Sequence, residues 1–345
     1  MKTKMGLIGI VGIIFWGNLT LAQVDIRHGS YKDNFLDFII MNSEQDIRLT
    51  RSYSSRSLDQ GWFGWGWCSN YEAKLKFKKR QVIYKDCQLE VTFKQNDSLS
   101  WYNKAFPEIQ LLVLGKNYIV KHIDGSQWKF DENGRLLSVK DRSNRKLKFK
   151  YLRTEFQIRS HDNIIVKFLL GSMGNVKKVK VISSKSLDIY RRIKQSHADA
   201  VSIDYNYSDG NLINVSINKK TIYEYTYNQE RNLSLIKNEL GQFKKIEYDN
   251  DNDWVVKTID FNGCTEFLEY WFHPLRPKDN YKTNYKKECN GKVVQFGNFE
   301  FTYGVHPVSG RFLKNLTMKK GEKTQSIEFN PISGRPVERN VSNHL

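Results

Sequence analysis

Alanine is scarce in this sequence: it occurs five times in 345 residues, once within the N-terminal leader. A largely helical protein uses far more, because alanine has the highest helix propensity. The mean hydropathy of −0.60 excludes a protein with several membrane spans. Tyrosine (18) and phenylalanine (20) are abundant instead, and both favour the pleated, half-buried surfaces of sheets. These counts predict an all-β protein and exclude a disordered chain.

The N-terminus has the three parts of a secretory signal peptide. Lys2 and Lys4 are basic, residues 5–16 are apolar, and a small residue, Ala22, precedes Gln23. Cleavage between Ala22 and Gln23 would make residues 1–22 the signal peptide and leave no transmembrane span. A retained membrane anchor stays open, because residues 5–24 carry no charge. We therefore predict a protein secreted to the periplasm, the cell surface or the medium.

Four cysteines fit an oxidising compartment, where an even number favours disulfides. They are Cys68, Cys87, Cys264 and Cys289. Three pairings are possible. The nearest-neighbour one suits hairpin-scale separations, but sequence alone does not select it. Four buried free thiols are the alternative, and a zinc site is less favoured because no two cysteines have the short C-x-x-C spacing.

The first part of the chain reads as strands around a tryptophan-rich stretch. Residues 35–40 are largely apolar, the polar residues 42–45 follow, and residues 47–53 alternate apolar with polar side chains, which is typical of two strands joined by a tight turn. Residues 61–67 follow with the sequence GWFGWGW. Three glycines in seven residues exclude a stable helix, and the indole rings are expected to fill core space. Residues 73–78 then alternate apolar side chains with lysine, as in a half-buried strand.

Aromatic residues recur about every 20 residues from residue 118 onward, each followed by a polar or Asx-Gly turn. Tyr207, Tyr227, Tyr248 and Tyr270 are separated by 20, 21 and 22 residues. Two-stranded units of this size cannot bury a face alone and must stack into one sheet. The aromatics predicted to share its interior are Trp62, Trp65, Trp67, Phe130, Tyr151, Tyr207, Tyr227, Tyr248 and Tyr270. Residues 183–200 break the pattern and read as a short helix or an ordered insertion.

Two segments resemble bacterial Rhs/YD-repeat proteins. Residues 51–57 (RSYSSRS), followed by the tryptophan-rich stretch, resemble the region that leads into the repeats in that family. Residues 130–141 (FDENGRLLSVKD) resemble one YD repeat. The resemblance implies a curled or spiral antiparallel sheet of β-hairpin repeats that can enclose a polypeptide. Because the chain is too short for a closed cage, we expect a partial, open shell with an Rhs-like β domain at 23–117 and degenerate repeats at 118–345.

The net charge of +18, or +16 without the two leader lysines, favours anionic partners. The basic residues are spread along strands rather than grouped in a DNA-reading motif, so nucleic acid is disfavoured. A basic solvent-facing sheet surface is the simplest interpretation, since lysine on strands also discourages edge-to-edge aggregation.

None of the sequence motifs of metalloproteases, hydrolases or nucleotide-binding enzymes is found. We predict no enzymatic activity, no catalytic residue, no cofactor and no metal site. The favoured function is a structural or interaction module that holds a polypeptide or assembles with a second YD-repeat chain. The first alternative is an adhesin-like, envelope-binding protein for anionic glycans. A glycan-active enzyme is a remote alternative, and it would need two carboxylates flanking a groove.

Overall fold

The computed structural model describes residues 20–21, 23–41, 46–96, 100–161, 164–190, 195–307 and 309–343. These residues form thirty-one strands and no helix, so the predicted all-β class is confirmed. The predicted leader, including the cleavage residue Ala22, lies almost entirely outside the described residues. The strands are β1 Thr20–Leu21, β2 Val24–Asp25, β3 Ser30–Ile40, β4 Ile47–Ser54, β5 Gln60–Gly61, β6 Gly64–Trp65, β7 Trp67–Ser69, β8 Lys74–Lys78, β9 Gln81–Lys85, β10 Glu90–Gln95, β11 Trp101–Tyr102, β12 Gln110–Leu114, β13 Asn117–Lys121, β14 Gln127–Phe130, β15 Leu136–Lys140, β16 Lys146–Tyr151, β17 Glu155–Arg159, β18 Ile165–Leu170, β19 Val176–Tyr190, β20 Gln195–Ser208, β21 Asn211–Ile217, β22 Lys220–Tyr227, β23 Leu233–Asn238, β24 Phe243–Tyr248, β25 Val255–Ile259, β26 Thr265–His273, β27 Arg276–Cys289, β28 Lys292–His306, β29 Gly310–Lys320, β30 Lys323–Phe329 and β31 Pro336–Asn343.

Strands β12 to β31 form one antiparallel meander in which each strand pairs with the next. The sheet does not close on itself. Apolar side chains alternate along its strands with polar ones, so one face carries a continuous core and the other faces solvent. We call these the inner and outer faces.

At one edge of the meander, eight described hairpins end in a β-bulge, and we call these the bulged ends, numbered in chain order. In each, a register shift leaves one large residue opposite the first residues after the turn. The facing pairs are Phe130–Leu136, Leu170–Val176, Tyr207–Leu212, Tyr227–Leu233, Tyr248–Val255, Phe272–Asn280, Tyr303–Leu313 and Phe329–Pro336. Seven of the eight turns contain a residue with positive φ, which is why glycine recurs there.

Tyrosine hydroxyls connect successive bulged ends to one another. Each donates a hydrogen bond to a main-chain carbonyl of the preceding end, at 2.6–3.0 Å. The pairs are Tyr207–Val176, Tyr227–Leu212, Tyr248–Leu233, Tyr270–Val255 and Tyr303–Asn280. A hydroxyl at this position satisfies a carbonyl that the bulge frees from the ladder. The 20-residue period of tyrosine thus has a hydrogen-bonding cause as well as a packing one.

The N-terminal strands lie against the inner face. Strands β3 and β4 pair with each other, as predicted, and β3 also pairs with the tip of β19 through Ile40 and Ile189. Strand β7 extends this group. Strands β8 to β11 form a separate four-stranded sheet, and β5 and β6 form a small hairpin.

The helix considered for residues 183–200 is wrong. The described main chain there continues β19 to Tyr190 and resumes in β20 at Gln195, so the segment prolongs one hairpin. At its tip, Ile189 and Tyr190 pair both with β20 and with β3. The apolar residues that resembled a helix face therefore belong to strands of an ordered insertion, the other interpretation that the sequence left open.

Both disulfides follow the nearest-neighbour pairing. Cys68 of β7 bonds Cys87, which follows β9, with Cα atoms 5.6 Å apart. Cys264 bonds Cys289 at the end of β27, with Cα atoms 4.3 Å apart. No cysteine is free, so the free-thiol alternative is wrong.

The two disulfides differ in what they join, and this predicts unequal effects. The pair Cys68–Cys87 connects β7 to the four-stranded sheet, whereas Cys264–Cys289 links strands that already pair through Thr265 and Glu288. Replacing both Cys68 and Cys87 by serine should cost about 2–4 kcal/mol of unfolding free energy. The same double change at Cys264 and Cys289 should cost less, as measured by urea denaturation. Equal losses would contradict this interpretation.

Candidate functional site

The inner face contains a fully buried ion pair. Arg51 on β4 and Asp37 on β3 are both 0% exposed, and Asp37 is the extra residue of a β-bulge that turns its carboxylate inward. The Arg51 guanidinium donates from Nε to Asp37 Oδ2 at 2.8 Å and from Nη2 to Oδ1 at 2.8 Å. The fork geometry of this contact is the arrangement in which arginine binds a carboxylate most strongly.

Hydroxyl groups and aromatic rings complete the surroundings of this pair. Tyr205 donates its hydroxyl to Asp37 Oδ2 at 2.7 Å, and Arg51 Nη1 donates to the Tyr225 hydroxyl at 3.2 Å. Five rings lie 5.1–5.8 Å from the guanidinium carbon, those of Phe35, Phe63, Trp67, Tyr205 and Tyr225. Burial disfavours the charge, but the Asp37 carboxylate outweighs it and raises the pKa of Arg51 well above its usual value. We call Asp37, Arg51, Tyr205 and Tyr225 the buried charge centre.

The N-terminal region contacts six bulged ends in turn. Its hydrogen bonds run from the first end to the sixth through Leu75–Gly134, Trp62–Val176, Trp65–Gly210, Tyr53–Leu233, Gly29–Val255 and Ile26–Thr283. Apart from the exchange of Trp62 and Trp65, the order is the reverse of the chain order. This part of the N-terminal region, residues 26–75, thus lies across the hairpin ends, and we call it the strip. Described residues 26–75 make no such bond to the seventh or eighth end, and at the eighth end Arg335 instead forms an ion pair with Glu108 and lies over the Phe106 ring.

Eight of the nine predicted aromatics belong to this interior, to different degrees, and Trp65 lies outside it at a hairpin turn. Trp67 and Phe130 are buried, and Trp62 packs on Phe156 with ring centroids 4.3 Å apart. The indole of Trp65 lies over the turn at Gly210, where an added Cβ would come within 2.9 Å of Nε1. Tyr151, Tyr207, Tyr227, Tyr248 and Tyr270 are half-buried and packed against the core. They stop short of full burial because they lie at the hairpin ends, where four of their hydroxyls bond main-chain carbonyls.

Tyr227 joins the strip to the sheet, and removing its hydroxyl should be costly. The oxygen accepts from Trp67 Nε1 at 2.9 Å and donates to the Leu212 carbonyl at 2.7 Å. Tyr227→Phe leaves both groups unpaired, so we expect a loss of about 1–3 kcal/mol in chemical denaturation. Tyr102→Phe, at an exposed position, should change stability by less than about 0.5 kcal/mol. A negligible effect at Tyr227 would show that water replaces the hydroxyl.

Two further ion pairs lie on the inner face near its other rim. Lys244, 5% exposed, donates to Asp33 Oδ2 and to Gln23 Oε1, both at 2.8 Å. Glu266 accepts from Lys287 at 3.1 Å and from the Tyr285 hydroxyl at 3.2 Å. Gln23, the residue after the predicted cleavage point, thus lies against the sheet.

A cleft of about 640 Å³ lies beside the first disulfide, lined among others by Arg56, Lys74, Lys85, Asp59 and Glu72. The Glu72 carboxylate accepts main-chain N–H bonds from Trp62 at 2.8 Å and Ser69 at 3.1 Å. Burial raises the pKa of Glu72 to about 7, although these two bonds oppose the rise. The carboxylate holds the tryptophan-rich stretch in place.

The raised pKa of Glu72 makes folding stability depend on pH. The folded state binds this proton more tightly than the unfolded state, so the stabilisation is complete below pH 4.5 and is lost as pH rises through about 7. Between those values, the wild type should lose about 1–3 kcal/mol more stability than Glu72→Gln. Urea titrations across this range would measure the difference, with Glu230→Gln, at an exposed site, as control. Parallel curves for wild type and Glu72→Gln would contradict the assignment.

The described residues contain no group of three or more His, Cys, Asp or Glu side chains able to hold a metal ion. They likewise contain no helix with the length and apolar character needed to cross a membrane. The ionisable side chains with the largest pKa shifts, such as Arg51 and Tyr205, serve the packing of the strip against the sheet. The arrangement is therefore suited to holding main chain and rings in register.

Comparison with known proteins agrees with this architecture. Residues 22–92 match the family described as "Domain of unknown function (DUF6531)". This domain is found in Rhs/YD-repeat proteins. The match covers β2 to β9 and the first half of β10, including the buried charge centre's Asp37 and Arg51. A search of curated proteins finds no match.

Several solved structures show a distant likeness. The TcdB2-TccC3-Cdc42 crystal structure is 9% identical, with a TM-score of 0.34, over 77% of this chain and 18% of that one. The Photorhabdus luminescens Tc holotoxin pore is also 9% identical, with a TM-score of 0.34, over 76% and 18%. A porin-like protein from Bacteroides uniformis is 8% identical, with a TM-score of 0.25, over 78% and 92%. This chain thus spans less than a fifth of the length of the toxin chains it matches.

Sequence reasoning missed the buried charge centre. Ile47, Leu49, Arg51 and Tyr53 occupy every second position of β4, so the period of the strand already places Arg51 on the inner face. A charged residue on an otherwise apolar strand face was the available signal. Asp37 gave no such signal, because only the bulge turns it inward.

Proposed function

We propose that this protein is an exported, non-enzymatic scaffold, an open β-shell that holds a polypeptide or assembles with a partner chain. The single observation that supports it is the uneven cover of the inner face. Among the described residues, the strip (residues 26–75) forms hydrogen bonds with the first six bulged ends and none with the last two, and at the eighth end Arg335 contacts Glu108 and Phe106 instead. A surface of this kind, continuous with a packed core, is suited to a second polypeptide.

Burial falls steadily toward the uncovered end. Phe301 on β28 and Leu316 on β29 are 4% and 1% exposed. Ile327 and Phe329 on β30 are half-buried, and Val341 on β31, which pairs with Gln325 on the same face, is 65% exposed. Apolar side chains that continue the core but face solvent gain free energy when a partner covers them.

The main chain of the last strand, β31, is also available for pairing with an added strand. Within the described residues β31 pairs only with β30, so its second edge has free N–H and C=O groups. Such an edge accepts an added strand, with main-chain hydrogen bonds giving affinity and alternate side chains giving selectivity. The edge and the uncovered inner face meet at Val341, so one extended segment can use both.

Site-specific photo-crosslinking in the producing cell tests this proposal. A photoreactive residue at Val341 should crosslink to one defined polypeptide, and Phe329→Asp should abolish that product. The same probe at Thr226, an exposed outer-face residue in the middle of the meander, is the matched control. Crosslinking patterns that are the same at both positions, or unaffected by Phe329→Asp, would refute a holding role for this end of the sheet.

A further inference from the structure

The outer face of β14 to β20 concentrates positive charge. The strand registers identify the residues that point outward, because residues paired across strands lie on the same face of the sheet. Most of the apolar residues lie on the inner face. The outward cations are Lys129, Lys140, Lys146, Lys148, Lys150, Arg159, Lys167, Lys178 and Lys180, and the acids are Glu155 and Asp204. We call these nine cations the basic face. Among the described residues, only Lys178 forms an ion pair, with Asp204 at 2.8 Å.

Like charges lie directly opposite one another on this face. Three cross-strand neighbours are cation pairs, namely Lys140–Lys146, Lys148–Arg159 and Lys167–Lys180. Directly opposed like charges destabilise a sheet, so nothing in the fold itself favours this arrangement. An anion bound across the strands would remove the repulsion.

The rest of the outer face shows the contrasting arrangement. From β22 to β29 four outward lysines form ion pairs with nearby acids, at 2.8–3.3 Å. The pairs are Lys237–Glu224, Lys245–Glu247, Lys286–Glu288 and Lys319–Glu300. Four outward lysines are therefore paired with acids in this half of the sheet, whereas on the basic face one of the nine cations, Lys178, has such a partner among the described residues.

We propose that the basic face binds a linear anionic polysaccharide that runs across strands β15 to β19. Residues that pair across neighbouring strands form two rows in that direction. One row passes through Lys148 and Arg159, and the other through Lys167 and Lys180. The first row has two adjacent cations, and the second continues from Lys150 through Gln157 to Lys167 and Lys180, with strands about 4.8 Å apart. A polymer with a carboxylate or sulfate on successive sugars presents a matching series of negative charges.

The composition of the face argues against other polyanions. Among its described outward positions there is no aromatic side chain on which nucleobases could stack. Ile165 and Leu169 are half-buried between the cations, and among the described outward positions Ile182 is the one exposed large apolar residue, so little there projects far enough to enter a bilayer. This binding role is separate from the partner proposed at β31, on the opposite face.

Matched triple variants test the proposal with polygalacturonate and heparin as probes. The first combines Lys148→Gln, Lys167→Gln and Lys180→Gln on the basic face. The control combines Lys245→Gln, Lys257→Gln and Lys286→Gln, which removes the same charge from the paired half of the sheet. We expect the first to bind at least about 10-fold more weakly, with a shallower salt dependence, and the control to change by less than about 2-fold.

A second readout does not depend on the choice of polymer. Because repulsion is removed, the basic-face variant should melt at a temperature equal to or above that of the wild type in low salt, whereas the control should melt lower. If both triple variants bound the polymer equally weakly, the binding would depend on net charge alone, and the proposal would be overturned. An absence of binding by the wild type, or equally tight binding to single-stranded DNA or to anionic lipid vesicles, would also overturn it.

Discussion

Replacing Arg51 with methionine should leave little folded protein. The substitution keeps the volume but leaves the Asp37 carboxylate 0% exposed and without its cation, and it removes the guanidinium group that donates to the Tyr225 hydroxyl. Removing one partner of a buried pair costs about 3–5 kcal/mol. That loss approaches the whole stability of many domains. We expect recovery of soluble protein to fall sharply and the urea midpoint of any remainder to drop.

A second substitution shows whether the stranded charge causes the loss. Adding Asp37→Leu to Arg51→Met should restore much of the stability, because apolar residues often replace a buried ion pair at little cost. Arg48 is an exposed cation on the same strand, and Arg48→Met should hardly change the stability. If the double variant were as unstable as the single one, packing of the guanidinium among its five rings would be the larger contribution.

Gly134→Ala should also destabilise strongly, through contact between the strip and the first bulged end. Gly134 has a φ of +78°, and an added Cβ would lie 2.1 Å from the Leu75 carbonyl oxygen, a main-chain atom that cannot rotate away. The change therefore breaks the Leu75–Gly134 hydrogen bond as well as straining the turn. We expect a loss of about 2–5 kcal/mol, from left-handed strain of about 1–2 kcal/mol plus the cost of displacing packed main chain.

Gly241 is the matched control for that experiment. Its φ is +79° and nothing lies within 4 Å of the added Cβ, so Gly241→Ala carries the backbone strain alone. The difference between the two losses, measured by thermal or urea denaturation, gives the contribution of the strip. If the two losses were equal, the strip would be able to shift away from the first bulged end at no cost.

The fold was predictable where one residue type carried the signal. Scarce alanine and alternating apolar residues indicated strands, and the spacing of Tyr207, Tyr227 and Tyr248 indicated stacked hairpins. Residues 183–200 were ambiguous because strand and helix patterns cannot be separated in a short apolar segment. Asp37 was not predictable, since a one-residue bulge reverses which side of the sheet a side chain faces.

The disulfides and the strip show a second limit of prediction from sequence, which concerns contacts between distant residues. Cysteine number indicated bonds but allowed three pairings, and only the placement of β7 beside β9 selects one. The contacts between residues 26–75 and the hairpin ends join positions up to 257 residues apart. No local pattern encodes a contact of that range, although the glycines that allow close approach, such as Gly134, are visible in the sequence.

The reversed order of the strip has a consequence for biogenesis. During synthesis Leu75 can meet Gly134 after fewer than a hundred further residues, whereas Ile26 must wait for Thr283. The contacts of the strip therefore form in order from Leu75 back to Ile26, and the residues synthesised first make their contacts last. The apolar residues of the strip remain open to misassociation throughout that delay, which favours slow maturation with the help of a chaperone.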